Sequence, residues 1–425
     1  MPFRLVDTRA GSGYFGEGHT LGPGTTFTFP VAGEDNVPGT ATAAALNVTV
    51  TGTTSSSYLS LFPAGGTRPL VSNLNWPAGD TVPNLVMVPL SSSGEVSAYN
   101  LSGDADLVVD LEGYFAPEPG ATTQGSYGAL TPARLLDTRT DRETLGANGT
   151  LNLPVSGQGG LPSAGDIDAV LLNVTVTDTS APSYLTVYPK GNSRPTASNL
   201  NWVGGQTRAN RVVVPLGSSG DVTIYNLTGQ ADVVVDVDGY FTAGGSAPAN
   251  AGLYTPVTPV RAIDTRSRSG EPGAGDTLGP GGVGSDKLSW IGSLGSNVTA
   301  VVSNVTTTDT TSPSYLTVYP GPTKPLASDL NWLGGQTVAN LTVATVGSDG
   351  VVYFYNFEGD AELVVDIFGY FSSTATLESS AAFSDNWSGY VEQSGPQTAV
   401  SGTFTVPTLY QGQTGTYMAE WVGID

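Results

Sequence analysis

Cysteine is absent from the 425 residues of this chain, and histidine occurs once, at His19. The lack of cysteine excludes a disulfide framework, zinc–thiolate sites and cysteine nucleophiles. No stretch of about 18 apolar residues is present, so the sequence predicts no membrane span. We also expect no cofactor.

Basic residues are scarce as well. The chain has 15 Lys and Arg against 37 Asp and Glu, which gives a net charge of −22 at pH 7. Binding to nucleic acid or to an anionic membrane surface requires clustered Lys and Arg side chains. Both are therefore poor partners for this chain, and the composition suits an extracellular or acidic setting.

Glycine, proline and β-branched residues dominate instead. The chain has 56 Gly and 29 Pro, and 39% of its residues are hydrophobic. No window carries a long apolar repeat of 3.6 residues. This combination is typical of an all-β protein with many tight turns.

The strongest signal is a threefold internal repeat. The stretch FRLVDTR at residues 3–9 returns as ARLLDTR at 133–139 and as VRAIDTR at 260–266. Asn-Val-Thr, Asn-Leu-Asn-Trp (Asp-Leu-Asn-Trp in the third copy), Tyr-Asn and a closing Gly-Tyr-Phe follow in the same order in each copy. The period of about 126–130 residues is too long for a solenoid repeat, so each copy is predicted to be a domain.

Alternating runs such as FTFPV, YLSLFP and EVSAYNL predict seven or eight strands in each copy. The predicted fold class is all-β, with three tandem antiparallel β-sandwich or barrel-like domains and an incomplete β-sandwich after them. The predicted segments are residues 1–117, 126–243 and 252–373 for the domains, 374–384 for a linker and 385–425 for the incomplete sandwich.

Copies two and three begin with a Tyr five residues before a Pro, at Tyr127 and Tyr254. Copy one has no counterpart, and we expect its lead-in to be truncated. The lack of a visible signal peptide therefore does not argue against secretion. The repeated motifs resemble a domain found in tandem in secreted proteins of actinobacteria and related bacteria. That resemblance implies extracellular or cell-surface placement and no defined activity.

An Asp-Thr-Arg triplet stands at the same place in all three copies. Its Arg either recognises a carboxylate or a sugar or forms a structural ion pair. We favour an ion pair with the Asp of the last long strand, because an unpaired buried charge there would be costly. The residues concerned are Asp7, Arg9 and Asp110 in copy one, Asp137, Arg139 and Asp236 in copy two, and Asp264, Arg266 and Asp366 in copy three.

A Trp follows Leu-Asn in each copy. An exposed Trp beside Asn could stack on a sugar ring; alternatively, the Trp fills the core and the Asn side chains bond the turn backbone. The spacing from this Trp to the Tyr of Gly-Tyr-Phe is 38 residues in every copy, which favours the core. The candidate ligand-binding residues are Trp76, Trp202, Trp332, Asn75, Asn201 and Asn331.

Catalysis by the copies themselves is not expected. His19 occurs in one copy only, so no Ser/His/Asp site and no His-based metal site can recur. Paired carboxylates could still perform glycosidase chemistry. Calcium is conceivable at GDAD (103–106) and GDAE (359–362), but copy two reads GQAD and no twelve-residue calcium loop occurs. We therefore predict no metal site.

The sequence changes character after residue 371. NWSGYV at 386–391, GTFTVP at 402–407 and WVGID at 421–425 match no copy. In this order they resemble the N-terminal strands of the glutamic peptidase (eqolisin) family. The resemblance implies a β-sandwich that hydrolyses peptide bonds at acidic pH, with a Glu as general base and a Gln that stabilises the oxyanion.

The same resemblance assigns Trp421 and Trp387 to the border of a substrate cleft. It puts the catalytic Gln shortly after Asp425 and the catalytic Glu further on, so we expect this chain to be inactive. About 40 residues of a sandwich cannot bury enough apolar surface to fold alone. We expect this segment to be poorly packed, to dock loosely, or to pair its strands in a sheet that differs from that of the complete domain.

Two functions remain open. In the first, the chain is a fragment of a secreted, acid-type glutamic endopeptidase-like protein, whose three β domains tether it or hold its peptide or protein substrate. In the alternative, it is an extracellular surface or stalk protein whose copies bind carbohydrate or cell-wall polysaccharide, with no enzymatic role.

Overall fold

Each copy folds into eight strands. The computed structural model describes residues 3–116, 125–141, 143–243, 251–287, 298–321, 323–347, 350–372, 380–384 and 387–391. The strands of copy one are β1 (Phe3–Asp7), β2 (Thr25–Pro30), β3 (Ala43–Thr51), β4 (Ser57–Pro63), β5 (Leu74–Trp76), β6 (Val82–Pro89), β7 (Glu95–Asn100) and β8 (Asp106–Phe115).

Copies two and three repeat this series. Copy two contains β9 (Tyr127–Asp137), the short helix α1 (Thr138–Asp141), β10 (Thr150–Pro154), a 3-10 turn (Ala164–Asp166), β11 (Ile167–Thr177), β12 (Ser183–Pro189), β13 (Leu200–Trp202), β14 (Arg208–Pro215), β15 (Asp221–Asn226) and β16 (Asp232–Thr242). Copy three contains β17 (Ala251–Asp264), β18 (Val283–Lys287), β19 (Val298–Thr308), β20 (Ser314–Tyr319), β21 (Leu330–Trp332), β22 (Val338–Thr345), β23 (Val351–Asn356) and β24 (Glu362–Ser372).

Two antiparallel sheets form each copy. In copy one the inner sheet has the order β1-β8-β3-β6 and the outer sheet has the order β2-β7-β4-β5. Copies two and three have the same two orders, and edge strands β9 and β17 join their inner sheets into one sheet of eight strands. This connectivity is that of an eight-stranded jelly roll. The predicted all-β class with several antiparallel sheets is confirmed.

Burial differs between the two sheets. Strand β3 in the inner sheet is buried along nearly its whole length, whereas β2 in the outer sheet alternates between exposed and buried residues. A strand loses this alternation when both of its faces are covered. The inner sheets therefore lie between the outer sheet of their own copy and the neighbouring copies.

A central apolar cluster joins the three copies, in addition to one core inside each. The compact unit that results spans Met1–Thr374. The inner sheets supply the central cluster, which includes Ala45, Leu85 and Met87 of copy one, Leu171, Val213 and Phe241 of copy two, and Val302, Leu341 and Phe371 of copy three. The predicted boundaries between the copies remain predictions.

The closing Gly-Tyr-Phe motif marks the pseudo-threefold axis. The ring centroids of Phe115, Phe241 and Phe371 form a nearly equilateral triangle with sides of 6.3, 6.2 and 6.3 Å. The two lead-in tyrosines, Tyr127 and Tyr254, pack on these rings at 4.3 Å from Phe371 and 4.4 Å from Phe115, respectively. The motif is thus an element of the contact between copies.

Glycine is required in this motif wherever a lead-in tyrosine is present. A Cβ at Gly239 would lie 2.3 Å from the hydroxyl of Tyr127, and one at Gly369 would lie 2.5 Å from the ring of Tyr254. Any side chain would collide at these distances, and glycine alone permits the approach. At Gly113, in copy one, a Cβ would meet no described atom within 4 Å.

Six buried asparagines link the copies in a cycle. In each contact, an Asn of one copy donates its amide N–H to the side-chain oxygen of the Asn in Asn-Val-Thr of another. The three pairs are Asn210 Nδ2 to Asn47 Oδ1 (2.8 Å), Asn340 Nδ2 to Asn173 Oδ1 (3.1 Å) and Asn84 Nδ2 to Asn304 Oδ1 (2.9 Å). Copy two thus donates a hydrogen bond to copy one, copy three donates to copy two, and copy one donates to copy three.

The Asn-Val-Thr asparagines also hold the Ser of the Ser-Asn-Leu-Asn stretch in the partner copy. Asn47 Nδ2 donates to Ser198 O (2.5 Å), Asn173 Nδ2 to Ser328 O (2.5 Å) and Asn304 Nδ2 to Ser72 O (2.6 Å). The motifs that recur in the sequence therefore bond one copy to the next, and the cycle closes.

The second unit, Ala375–Asp425, contains one described hairpin. Its strands β25 (Ser380–Ser384) and β26 (Trp387–Val391) pair in antiparallel register. The prediction that residues 386–425 are poorly packed falls mostly outside the described residues.

Replacement of Asn84 by Ala should destabilise the three-copy unit. Asn84 donates to Asn304 and to Asn73 O, and it accepts a bond from the backbone N–H of Leu341, all in buried surroundings. Loss of these bonds leaves buried groups unpaired, so we expect a decrease of about 2–4 kcal/mol in the free energy of unfolding. Urea denaturation followed by circular dichroism measures it.

The matched control is Asn75→Ala, in the same copy. Asn75 is half-buried and its Nδ2 donates to Ser72 Oγ within its own copy (3.1 Å). This variant should lose less than about 1 kcal/mol. Equal losses from the two variants would contradict a special role of the bonds between copies.

Candidate functional site

The aspartate of the last inner strand pairs with a different Arg from the one predicted. In copy one, Arg4 binds Asp110 through two hydrogen bonds, Nε to Oδ1 at 2.9 Å and Nη2 to Oδ2 at 3.2 Å. Arg9 of the Asp-Thr-Arg triplet instead bonds Asp7, with Nη2 2.6 Å from Oδ2. Arg4 also reaches Asp7, at 3.1 Å, so two Arg and two Asp form one cluster.

Strand register explains this correction. Arg4 lies directly opposite Asp110 in the β1–β8 pair, whereas Arg9 lies beyond the end of β1 and folds back on Asp7. The cluster recurs in the other copies, with Arg134 or Arg261 in the place of Arg4. Its members there are Arg134, Asp137, Arg139 and Asp236 in copy two, and Arg261, Asp264, Arg266 and Asp366 in copy three.

The carboxylate oxygens of these clusters accept hydrogen bonds from protein groups, while Arg9, Arg139 and Arg266 remain about half exposed. Burial alone raises the pKa of Asp7, but the guanidinium groups of Arg9 and Arg4 together hold that pKa below its ordinary value. In copy two the cluster also touches copy three, where the backbone N–H of Ser328 lies 3.5 Å from Asp236 Oδ2. The arrangement has the chemistry of a structural ion pair at the interface between copies.

The three candidate tryptophans lie in the cores of their copies. Trp76, Trp202 and Trp332 are only 3–4% exposed and belong to the three separate core clusters. Trp202 and Trp332 therefore present no indole face for a sugar to stack on, while Trp76 also lines a cavity described below.

The asparagines beside the tryptophans stabilise turns in their own copy. Their Nδ2 groups donate to a serine hydroxyl three residues earlier, over 3.1–3.3 Å. The pairs are Asn75 with Ser72, Asn201 with Ser198 and Asn331 with Ser328.

A buried carboxyl group, Glu112, lies between copies one and two. Its two oxygens accept hydrogen bonds from Asn199 Nδ2 (2.6 Å) and from the backbone N–H of Val213 (2.8 Å). Burial raises the pKa of Glu112 to about 8, and these two donors offset only part of that effect. The side chain is therefore mostly protonated at neutral pH.

A charged triad, Asp238–Arg211–Asp329, fills the corresponding place between copies two and three. The fully buried guanidinium of Arg211 pairs with Asp329 of copy three, and its Nε lies 3.0 Å from Asp238 Oδ2 without hydrogen-bond alignment. Two carboxyl groups share one cation, and Asp329 also accepts the N–H of Val318. Burial raises the pKa of Asp238 to about 8 and raises the pKa of Asp329 as well, so the pair retains a proton to higher pH than an exposed carboxyl group would.

A cavity of about 580 Å³ opens where copies one and three meet, with Arg208 of copy two on its wall. Asp80 and Arg208 face each other there, 2.7 Å apart, and Trp76 lines the wall with an Nε1 that has no hydrogen-bond partner among the described residues. Ser56, also on the wall, stands where the other copies have the bulkier, rigid Pro182 and Pro313.

This cavity suits binding rather than catalysis. The carboxylate of Asp80 is held by Arg208, and no histidine lies among the lining residues to activate Ser56 or Ser57. Within the described ranges, no group of three or more His, Cys, Asp or Glu side chains could hold a metal ion. In the same ranges, no helix is long and apolar enough to cross a membrane.

The residues assigned to a peptidase cleft are not brought together in the described structure. Trp387 opens strand β26, and Trp421 lies outside the described residues. Their relation to any substrate stays a prediction.

Sequence reasoning missed three kinds of residue. Glu112 and Arg211 were overlooked because neither position is charged in all three copies; the signal was a charged residue where another copy has Phe368 or Leu85. The third kind is a basic residue that precedes a Pro and lies eight residues before the Trp of each copy. These residues are Arg68, Arg194 and Lys324.

Comparison with known proteins gives one family match. Residues 385–425 match the Peptidase A4 family, and the match is confined to this C-terminal part of the chain. None of the curated proteins matches the chain.

Solved structures that match include two described as "Life in the extremes: atomic structure of Sulfolobus Turreted Icosahedral Virus" and "The Triple Jelly Roll Fold and Turret Assembly in an Archaeal Virus". Each is 9% identical with a TM-score of 0.20. The alignments cover 84% and 88% of this chain and 85% and 89% of those chains, respectively. At this TM-score the likeness has no bearing on function.

Arg4→Gln should destabilise the unit far more than Arg9→Gln. The Arg4 side chain is 9% exposed and binds the buried Asp110, while the Arg9 side chain is 49% exposed. Removing one partner of a buried pair costs about 3–5 kcal/mol, and removing an exposed partner costs about 0–1 kcal/mol. Urea denaturation at pH 7 compares the two, and a larger loss for Arg9→Gln would overturn the pairing.

The free energy of unfolding should fall as the pH rises from about 5 to about 9. Folding raises the pKa of Glu112 from 4.5 to about 8, so its contribution is fully present below pH 4.5 and is lost as the pH passes 8. The raised pKa of Asp238 changes the free energy of unfolding with pH in the same direction. We expect Glu112→Gln to remove about 2–4 kcal/mol of this pH dependence.

The readout is the change in unfolding free energy between pH 5 and pH 9, which does not depend on the baseline stability of the variant. Glu34→Gln, at an exposed position of the same copy, is the control. It should show the same difference in unfolding free energy between pH 5 and pH 9 as wild type. A wild-type stability that rises over this range, or an unaltered pH dependence in Glu112→Gln, would contradict the assignment.

Proposed function

We propose that this chain is part of a secreted, glutamic endopeptidase-like protein in which the three-copy unit is an accessory module. The observation that carries the proposal is the match of residues 385–425 to the Peptidase A4 family. The motifs NWSGYV, GTFTVP and WVGID lie within that segment in the order that the family resemblance requires.

In this proposal the chemistry belongs to the peptidase domain. A Glu activates the attacking water as general base and a Gln stabilises the oxyanion, both in sequence beyond Asp425. Trp387 and Trp421 border the cleft that receives a peptide or protein substrate. The three copies add a rigid body that tethers the enzyme or holds its substrate, outside the cell or at its surface.

The buried carboxyl groups favour an acidic working environment for this module. Glu112 and Asp238 are uncharged at low pH, where their burial costs least. An acid-type peptidase and a module that is more stable at pH 5 than at pH 9 would share one set of conditions.

A second function rests on the cavity beside Trp76. Its volume of about 580 Å³ and its wall of mixed polar and apolar residues suit a small ligand with both kinds of surface, such as a unit of a cell-wall polysaccharide. In that case the protein is an adhesion or stalk protein and the copies alone carry its activity.

Hydrolysis of an unfolded protein substrate tests the first function. A chain extended along its reading frame beyond Asp425 should cleave reduced, denatured casein at about pH 3–5, while the 425-residue chain should leave it intact. Replacing the predicted catalytic Glu by Gln in the extended chain is the control and should abolish cleavage. Cleavage by the 425-residue chain, or none by the extended chain, would overturn the proposal.

A further inference from the structure

Each copy carries a cation that lies over a tyrosine ring of its outer sheet. The guanidinium carbon of Arg68 is 4.0 Å from the ring centroid of Tyr99, and that of Arg194 is 3.8 Å from Tyr225. In copy three the ammonium of Lys324 lies 4.8 Å from Tyr355. The cation occupies the same sequence position in every copy, directly before a proline.

A second tyrosine completes each cluster with nearly constant geometry. The two rings are tilted by 48–49° in all three copies, with centroid separations of 6.2–6.5 Å. The pairs are Tyr58 with Tyr99, Tyr184 with Tyr225, and Tyr315 with Tyr355. In copy one, Arg68 Nη1 also donates to the hydroxyl of Tyr58 at 3.3 Å, which holds the guanidinium at two points.

These cations differ from nearly all other basic residues of the chain. Among the described side chains, every Lys and Arg has a carboxylate within 4.0 Å except Arg68, Arg194, Lys324 and the exposed Arg268. In a protein of net charge −22, an uncompensated cation at one equivalent position in three copies has no ion-pairing role in the fold. Its positive charge is available to an external anion.

The tyrosine ring orients the guanidinium for binding an anion. A guanidinium that lies over a ring directs its N–H groups sideways, in the fork that matches a carboxylate. Because the ring has already fixed the side chain, less conformational entropy is lost when a carboxylate binds. A single carboxylate would still bind weakly at such a solvent-facing site.

The surroundings of the cation favour a sugar ring as the carrier of that carboxylate. Residues Leu101 and Phe357, which follow the Tyr-Asn of copies one and three, are 44% and 49% exposed. Phe357 stacks on Tyr315 at 5.0 Å, with 15° between the ring planes. Exposed apolar and aromatic surface beside tyrosine hydroxyls fits the apolar face and the hydroxyls of a sugar.

We propose that the three tyrosine–cation clusters are equivalent binding sites for a carboxylate-bearing polysaccharide, with one uronate unit at each cluster. Three weak sites on one rigid unit reach high affinity for a polymer, because binding at one site raises the effective concentration at the others. The inference deepens the tethering role in the proposed function and rests on that role, but not on peptidase activity.

The test measures retention of the intact 425-residue chain on immobilised polygalacturonate, with neutral dextran as the reference matrix. Wild type should bind polygalacturonate and pass through dextran. Arg68→Gln, Arg194→Gln and Lys324→Gln should each lower the apparent affinity by about threefold to tenfold, and the triple variant by about 100-fold or more. Lys324→Arg should retain the affinity of wild type.

Arg268→Gln is the matched control, since it removes an exposed, unpaired cation outside the clusters. It should change the affinity by less than about twofold, because a single distant surface charge contributes little. Circular dichroism and thermal unfolding of the triple variant verify that the outer sheets remain folded.

Several results would overturn the inference. They are no retention of wild type on polygalacturonate, full retention of the triple variant, and an equal loss in Arg268→Gln. Equal binding to poly-glutamate with the same dependence on the three cations would reassign the sites to acidic polypeptides. The casein assay is independent of all these outcomes, so failure of this inference and failure of the peptidase proposal are distinguishable.

Discussion

The hydrogen bonds between buried asparagines of neighbouring copies are the constraint on which the rest of the structure depends. A buried amide with an unfilled hydrogen bond is costly. Each donating amide bonds a backbone oxygen of its own copy and the asparagine of another copy, so its hydrogen bonds are complete only when the copies meet. The bonds are therefore satisfied together, in a closed cycle. The stretch from the Trp to Gly-Tyr-Phe carries an asparagine of this cycle, the aspartate of the ion-pair cluster and the central phenylalanine. An insertion there would displace one of them, which explains its fixed length of 38 residues.

The sequence was sufficient for the fold class and insufficient for the contacts between copies. Alternating apolar runs and turn residues predicted the antiparallel sheets, and the fixed spacing favoured a core position for Trp76, Trp202 and Trp332. Repetition alone does not tell whether two motifs meet within a copy or between copies. Both arrangements require the same motif residues in every copy. The partner of Asp110 was assigned to Arg9 for a related reason. Only strand register shows that Arg4 lies opposite that aspartate.

The structure separates the residues of each copy into two functional layers. The inner sheets carry the motifs that hold the unit together, and the outer sheets carry the tyrosine–cation clusters that face solvent. Side chains on the outer sheets, including those of the proposed binding clusters, can therefore change without loss of the bonds along the axis. The proposed tethering role is compatible with this separation, since the backbone hydrogen bonds of the unit remain in buried sheets.

The three interfaces are closed by different chemistry, and this difference fixes the order of the copies around the axis. Glu112 of copy one meets amide donors of copy two, Arg211 and Asp238 of copy two meet Asp329 of copy three, and the fully buried Phe368 occupies the equivalent position in copy three. An exchange of neighbours would leave a buried charge or amide without its partner. The copies share a fold, but none can replace another, so we expect the three to unfold as a single cooperative body despite the threefold repeat.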